Sequence, residues 1–139
     1  MDKALLDTDT LSEILKAKNV NVIAKASAYR EQFSRYTISS ITVMEVVKGL
    51  QKIGPPNRVQ QFVGSVSAIE VLNFDSPSAE LAGRIYGDLE STGQTIGRAD
   101  PMIASIALHH GLTLITGNKA HYQRIQALGY PLQIENWRT

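Results

Sequence analysis

Apolar positions along this chain fall into short blocks, and their spacing switches between the period of a strand and that of a helix. Lys3–Leu6 is a compact apolar run and predicts a first strand. Thr8–Thr10 follows, and Leu11, Ile14 and Leu15 make a short helical stripe. Val20–Gln32 predicts a second helix, with Val22, Ile23, Ala26 and Tyr29 near helical spacing. Tyr36–Ile38 reads as a second strand, and Ser39-Ser40 offers an N-cap for a helix over Ile41–Leu50. Gly54-Pro55-Pro56 interrupts the pattern before a helix over Arg58–Ser67 and a third strand over Ala68–Leu72. Asp75-Ser76-Pro77 places proline at a helix start, where its missing N–H costs least, and that helix runs to about Ser91 and ends near Gly93. Asp100-Pro101 opens another helix, closed by Gly111 after His110. Leu112–Thr116 is a fourth strand, Lys119–Leu128 a last helix and Leu132–Glu135 an edge strand.

Strands that alternate with helices require crossover connections. They predict an α/β domain with a mainly parallel sheet covered on both faces, spanning residues 1–139 as one unit. Ligands in such sheets gather at the carboxyl ends of the strands. The 139 residues are 43% hydrophobic, which argues against disorder, and no apolar run reaches membrane-spanning length. The start lacks the long apolar region of a signal peptide, so a cytoplasmic location is expected.

Composition narrows the chemistry. With no cysteine, disulfides and thiolate metal sites are excluded. His109, His110 and His121 are the only imidazoles. Any metal site must therefore lean on carboxylates, which suit hard cations such as magnesium or manganese. A net charge of +1 is far from the basic balance of a typical DNA reader, although a local patch can still steer a nucleic acid.

Of the thirteen acidic residues, three stand in apolar company. Asp7 follows Ala4-Leu5-Leu6, Glu45 interrupts Ile41-Thr42-Val43-Met44, and Asp100 precedes Pro101-Met102-Ile103-Ala104. Burying an unpartnered charge is costly, so each needs a reason. Taken singly, each has a structural one: Asp7 or Asp9 as a helix cap, Glu45 as the acid of a capping box with Thr42, Asp100 as an N-cap before proline. Taken together, they occupy a strand end, an early helix turn and a helix start, which can meet at one sheet edge. Two carboxylates ~4 Å apart repel by about 4 kcal/mol at an effective dielectric of 20, and a divalent cation reverses that sign. The set therefore points to a magnesium or manganese site and to phosphate chemistry.

The same residues resemble the VapC-type toxins of the PIN-domain family. The resemblance rests on five stretches in order. They are Leu5-Leu6-Asp7-Thr8-Asp9-Thr10, then Ile38-Ser39-Ser40 through Met44-Glu45-Val46-Val47-Lys48-Gly49, then Ile96-Gly97-Arg98-Ala99-Asp100-Pro101-Met102-Ile103-Ala104. Leu114-Ile115-Thr116-Gly117-Asn118 and Ile134-Glu135-Asn136-Trp137 complete it. It implies a three-layer α/β/α domain, a homodimer, and divalent-metal-dependent cleavage of RNA (Mg2+ or Mn2+). It also implies a VapB-like antitoxin whose C-terminal segment covers the active site. Asp7, Glu45 and Asp100 match the family's metal-binding acids; Thr116 and Asn118 match the polar residues beside them, and Thr8 and Asp9 adjoin the first acid. One departure stands out: the family often has a fourth acid before an aromatic residue, where this chain has His121 before Tyr122. As a loop histidine, His121 is expected to face solvent or touch phosphate. His109 and His110 read as structural, their charge suiting a helix C-terminus.

Lys48, Arg98, Lys119 and Arg124 flank these motifs and are candidate contacts to an RNA backbone, with solvated surface charge as the plainer account of each. Trp137 and Tyr122 are candidates for base stacking, against core packing. Two rivals remain at this point. A phosphoacceptor receiver-like domain needs an aspartate at the end of the third strand, where Asp75 comes late and reads as a helix start. A degenerate PIN domain that only binds RNA or protein has no need of an intact acid trio.

Overall fold

Short polar side chains fix the starts of several helices. In a computed structural model, which describes residues 1–94 and 99–139, Asn19, Ser39 and Asp75 accept hydrogen bonds from the N–H groups of Val22, Thr42 and Ser78. The elements in chain order are β1 (Ala4–Leu6), α1 (Thr8–Lys16), α2 (Val20–Phe33), β2 (Thr37–Ser39), α3 (Ser40–Ile53) and α4 (Pro56–Ser65). A 3-10 turn over Val66–Ala68 leads to β3 (Glu70–Leu72), then α5 (Ser76–Ser91), α6 (Asp100–His110), β4 (Thr113–Ile115), α7 (Lys119–Ala127) and β5 (Ile134–Glu135).

Helices lie close to expectation, with three instructive differences. The fourth helix begins at Pro56 rather than Arg58, because proline's fixed φ and missing N–H suit the first helical position. Asp100 does not cap α6: Ala99 holds the cap position without a side-chain bond, and Asp100 is the first helical residue. The expected Thr42–Glu45 capping box also fails. Ser39 is the cap of α3, which leaves Glu45 in the second turn with its carboxylate free for another partner.

All strand pairs are parallel, in the orders β1-β4-β5 and β2-β3. Alternate side chains divide between two cores. Leu5 and Leu114 face α5, α6 and α7 through Ile85, Leu89, Ile103, Ile106 and Tyr122. Ala4, Leu6 and Ile115 face α1, α2 and α3 with Leu11, Val22, Tyr29, Ile38 and Trp137. Period-two alternation thus produces three layers from strands only three residues long. Trp137 belongs to the second core: it is buried and packs 5.7 Å from the Tyr29 ring, so it is no stacking platform.

The expected single sheet is divided between β1 and β2, and Tyr29 supplies the reason. Thr113 N–H bonds Lys3 O and Asp7 N–H bonds Ile115 O, so alternate backbone groups of β1 serve β4. Those of Ala4 point the other way. There the Tyr29 hydroxyl takes the Ala4 N–H at 3.1 Å and donates to the Ala4 carbonyl at 3.3 Å, occupying the place of a β2 ladder bond. Tyr29→Phe keeps the ring but strands two buried backbone groups. We expect a loss of about 1–3 kcal/mol, read as a lower urea midpoint at unchanged slope.

Candidate functional site

Parallel pairing of Leu6 with Ile115 brings the residues that follow them, Asp7 and Thr116, side by side at the carboxyl ends of β1 and β4. Thr116 Oγ1 donates to Asp7 Oδ2 at 2.8 Å and accepts from Asn118 N–H at 3.0 Å. The Thr8 N–H donates to Asp7 Oδ1 at 2.8 Å, so Asp7 caps α1 and faces Thr116 at once. Thr8 carries the connection onward: its hydroxyl donates to Glu45 Oε1 at 2.6 Å. With that proton committed, Thr42 Oγ1, 3.0 Å away, is the donor to Thr8, and Ser39 Oγ donates in turn to Thr42 at 3.3 Å.

Asp100 is reached from α7. His121 Nδ1 lies 2.8 Å from Asp100 Oδ2 and also 2.8 Å from the Asn118 side-chain amide. Nδ1 cannot donate to the carboxylate and accept from the amide together. The charge-assisted bond is the stronger, so we assign the proton to Nδ1 and turn the Asn118 amide oxygen toward it. His121 is therefore half-exposed but engaged, which corrects the expectation of a solvent-facing loop residue: it stands in the first turn of α7, which aims it at the start of α6. Tyr122, fully buried, directs its hydroxyl to Asp100 Oδ1 at 3.3 Å. The charges of Asp7 and Asp100 both act on this hydroxyl, so the two acids lie on the same side of the site.

Charge is concentrated here. Burial pushes the Asp7 carboxyl up to about 7, and neighbouring Asp9 adds to the rise; the Thr116 and Thr8 bonds oppose it, and Asp100 adds to it again. Tyr122 is held well above the usual phenol range by burial first and then by the charges of Asp7 and Asp100. Among the described residues, neither Lys nor Arg forms an ion pair with Asp7, Glu45 or Asp100. Carboxylate oxygens with a raised, cation-poor potential fit a hard divalent cation. Thr8 links Asp7 to Glu45, while His121 and Tyr122 hold Asp100. Among the described residues, the group whose ligand atoms all lie within 4.8 Å of one another is instead Asp75, His109 and His110.

The sequence profile of the PIN domain matches residues 4–127. The chain belongs to the PIN-domain family. Its relatives include the tRNA(fMet)-specific endonuclease VapC of Salmonella typhimurium, 34% identical over 142 residues, covering 99% of each chain. Ribonuclease VapC2 of Haemophilus influenzae is 28% identical, covering 99% of each. The DNA-bound VapBC structure of Salmonella typhimurium superposes with a TM-score of 0.80 at 34% identity, covering 99% of each chain. VapBC2 of Rickettsia felis, bound to a promoter DNA fragment, gives 0.80 at 25% identity, covering 96% of this chain and 98% of that one. The receiver-like alternative is thereby set aside, and the fold is that of the PIN family, an α/β domain with a parallel sheet.

Within this PIN domain, Asp9 sits at the edge of the acid set. Its Oδ2 accepts from Gly117 N–H at 2.9 Å, and a Cβ on Gly117 would stand 2.8 Å from that oxygen and 2.9 Å from Arg138 Nη1. A side chain at position 117 would therefore have to displace the ends of the Asp9 and Arg138 side chains. Lys48, Lys119 and Arg124 are exposed and have no described contact to the acids; Arg98 lies outside the described residues. Sequence reasoning missed Lys16 and Arg58, which line an apolar groove of about 770 Å³ with Leu15, Ile53 and Phe62, opening beside Thr8 and Glu45. It also missed the part played by Tyr122. The signal was its place after His121, but only the fold puts its hydroxyl on Asp100.

The raised Asp7 value carries a stability consequence of unusual sign. Folded Asp7 keeps its proton up to about pH 7, whereas the unfolded carboxyl loses it near 3.8. The metal-free protein therefore loses stability as pH climbs through that window, by as much as about 4 kcal/mol from this group. In EDTA, we expect Asp7→Asn to gain melting temperature relative to wild type progressively between pH 4.5 and pH 8. A difference that does not change with pH would contradict a buried, proton-retaining Asp7.

Proposed function

We propose that this protein is a metal-dependent endoribonuclease that hydrolyses RNA phosphodiester bonds as the toxin of a toxin–antitoxin pair. The observation that carries the proposal is the acid set at the strand ends: Glu45 joined to Asp7 through Thr8, with Asp100 close enough for its charge to act on Asp7, and no described Lys or Arg paired with any of the three. In this reading Asp7, Glu45 and Asp100 hold magnesium or manganese. A cation bound there supplies a water of lowered pKa and neutralises charge on the scissile phosphate. Thr116 and the Thr8 N–H fix the two oxygens of Asp7, the Thr8 hydroxyl aims Glu45, and His121 orients Asp100 through Nδ1. Because that nitrogen is already engaged, His121 is a positioning residue, and magnesium and manganese serve comparably. Asp9 and Asn118 hold the turn at Gly117 in register with the acids. Lys48, Lys119, Arg124 and the groove residues Lys16 and Arg58 are the basic groups available to an RNA backbone.

The relatives' names make tRNA(fMet) the first substrate to test and a VapB-like antitoxin the expected partner. The apolar groove beside Glu45 suits a partner segment that covers the site. The homodimer implied by the family belongs to the same proposal, as does action on cytoplasmic RNA; no described helix is long and apolar enough to cross a membrane.

Purified protein should cleave tRNA with magnesium or manganese, lose activity in EDTA and regain it on metal addition. Asp7→Asn and Asp100→Asn, each folded by circular dichroism, should fall more than about a hundredfold, beyond the loss typical of an outer contact. Cleavage that survives EDTA and both substitutions would exclude the proposed chemistry. His121→Ala is expected to lose about 10- to 100-fold, equally in both metals, because Asp100 loses its orienting bond. A loss confined to manganese would instead make His121 a direct ligand.

A further inference from the structure

The ends of α5 and α6 bring together donors that the carboxylate centre does not use. Asp75 caps α5, where its Oδ1 accepts from Ser78 N–H at 3.0 Å. Its Oδ2 faces the last turn of α6, 3.9 Å from His109 Nε2. The His110 ring lies edge-on to that of His109, with centroids 5.0 Å apart. One ligand atom from each of the three lies within 4.8 Å of the other two, and all three residues are exposed. His109 is nine residues along α6 from Asp100, about 14 Å at helical rise, so the group is separate from the acid set.

We propose that Asp75, His109 and His110 form a second metal site, selective for a borderline transition cation of the zinc class, with water completing its coordination. Two imidazoles and one carboxylate are a zinc donor set, whereas magnesium prefers oxygen alone. Zinc–ligand lengths place adjacent donors roughly 3.3 Å apart in a tetrahedron. The Asp75–His109 pair at 3.9 Å therefore has to close by only about half an ångström, which rotation of exposed imidazoles between rotamers can supply. The hydrogen bond from the Ser78 N–H holds Asp75 below the usual carboxylate range, so the oxygen donor is anionic at neutral pH. That same bond fixes the orientation of the carboxylate, as outer contacts do in established sites. The unpaired carbonyls at the end of α6 add a negative potential beside the imidazoles. A cation here ties the start of α5 to the end of α6, two helices that already share the core residues Ile85, Leu89, Ile103 and Ile106. It thereby stabilises the helix whose other end carries Asp100.

Zinc titration calorimetry and thermal melts on the full chain, in excess magnesium to occupy the carboxylate centre, test the site. Wild type should take up one zinc equivalent and melt at a higher temperature when saturated. His109→Ala/His110→Ala should weaken that equivalent by more than about a hundredfold and abolish the melting shift while keeping magnesium-supported RNA cleavage. Asp75→Asn separates ligation from capping, because asparagine caps a helix as well as aspartate does. It should leave the metal-free melting temperature unchanged and weaken zinc at least about tenfold. Cobalt substitution should give visible absorption in wild type that the double variant lacks. Zinc affinity within threefold of wild type in either variant, or no zinc equivalent in wild type, overturns the proposal.

Discussion

Asp7 is a carboxylate placed where a folded chain has least reason to keep one, at the end of a strand whose three residues are all buried, with its own side chain nearly so. Much of the surrounding architecture exists to hold it. The β1–β4 pairing brings Thr116 alongside, and the start of α1 supplies a backbone donor. Those contacts favour the charged form, but burial and the nearby Asp9 and Asp100 outweigh them. The strain is electrostatic and local, and it is the kind that a divalent cation relieves.

Hydroxyls also orient the other two acids. Thr8 is the joint: its N–H belongs to Asp7 and its side chain to Glu45, while Ser39 and Thr42 commit the direction of its proton. Tyr122 plays the matching part toward Asp100. Hydroxyls suit this because each both donates and accepts, so a short chain of them fixes carboxylate orientation without adding charge. Lysine or arginine in their place would neutralise the potential on which a metal site depends.

Much of this was legible in the sequence. Apolar spacing located every described helix and strand to within a few residues, and two of the acids in apolar company, Asp7 and Glu45, are joined in the structure through Thr8. What was not legible depends on long-range contact. Tyr29 reads as one more apolar position of a helix, yet its hydroxyl replaces ladder bonds of β1 and divides the sheet. Asp100 before Pro101 reads as an N-cap, but the helix begins one residue earlier and releases its carboxylate to His121 and Tyr122. His109 and His110 read as charge at a helix end, because nothing in their neighbourhood reveals that Asp75, more than thirty residues earlier, packs against them.

The proposed activity requires Asp7, Glu45 and Asp100 to act as one metal centre. Anomalous diffraction from a crystal soaked in manganese measures that directly. The account predicts a manganese peak at about 2.0–2.6 Å from carboxylate oxygens of Asp7 and Asp100, with Glu45 reaching the same ion directly or through one water. Saturating manganese that leaves this position empty, or a peak whose ligands do not include Asp7, would contradict it.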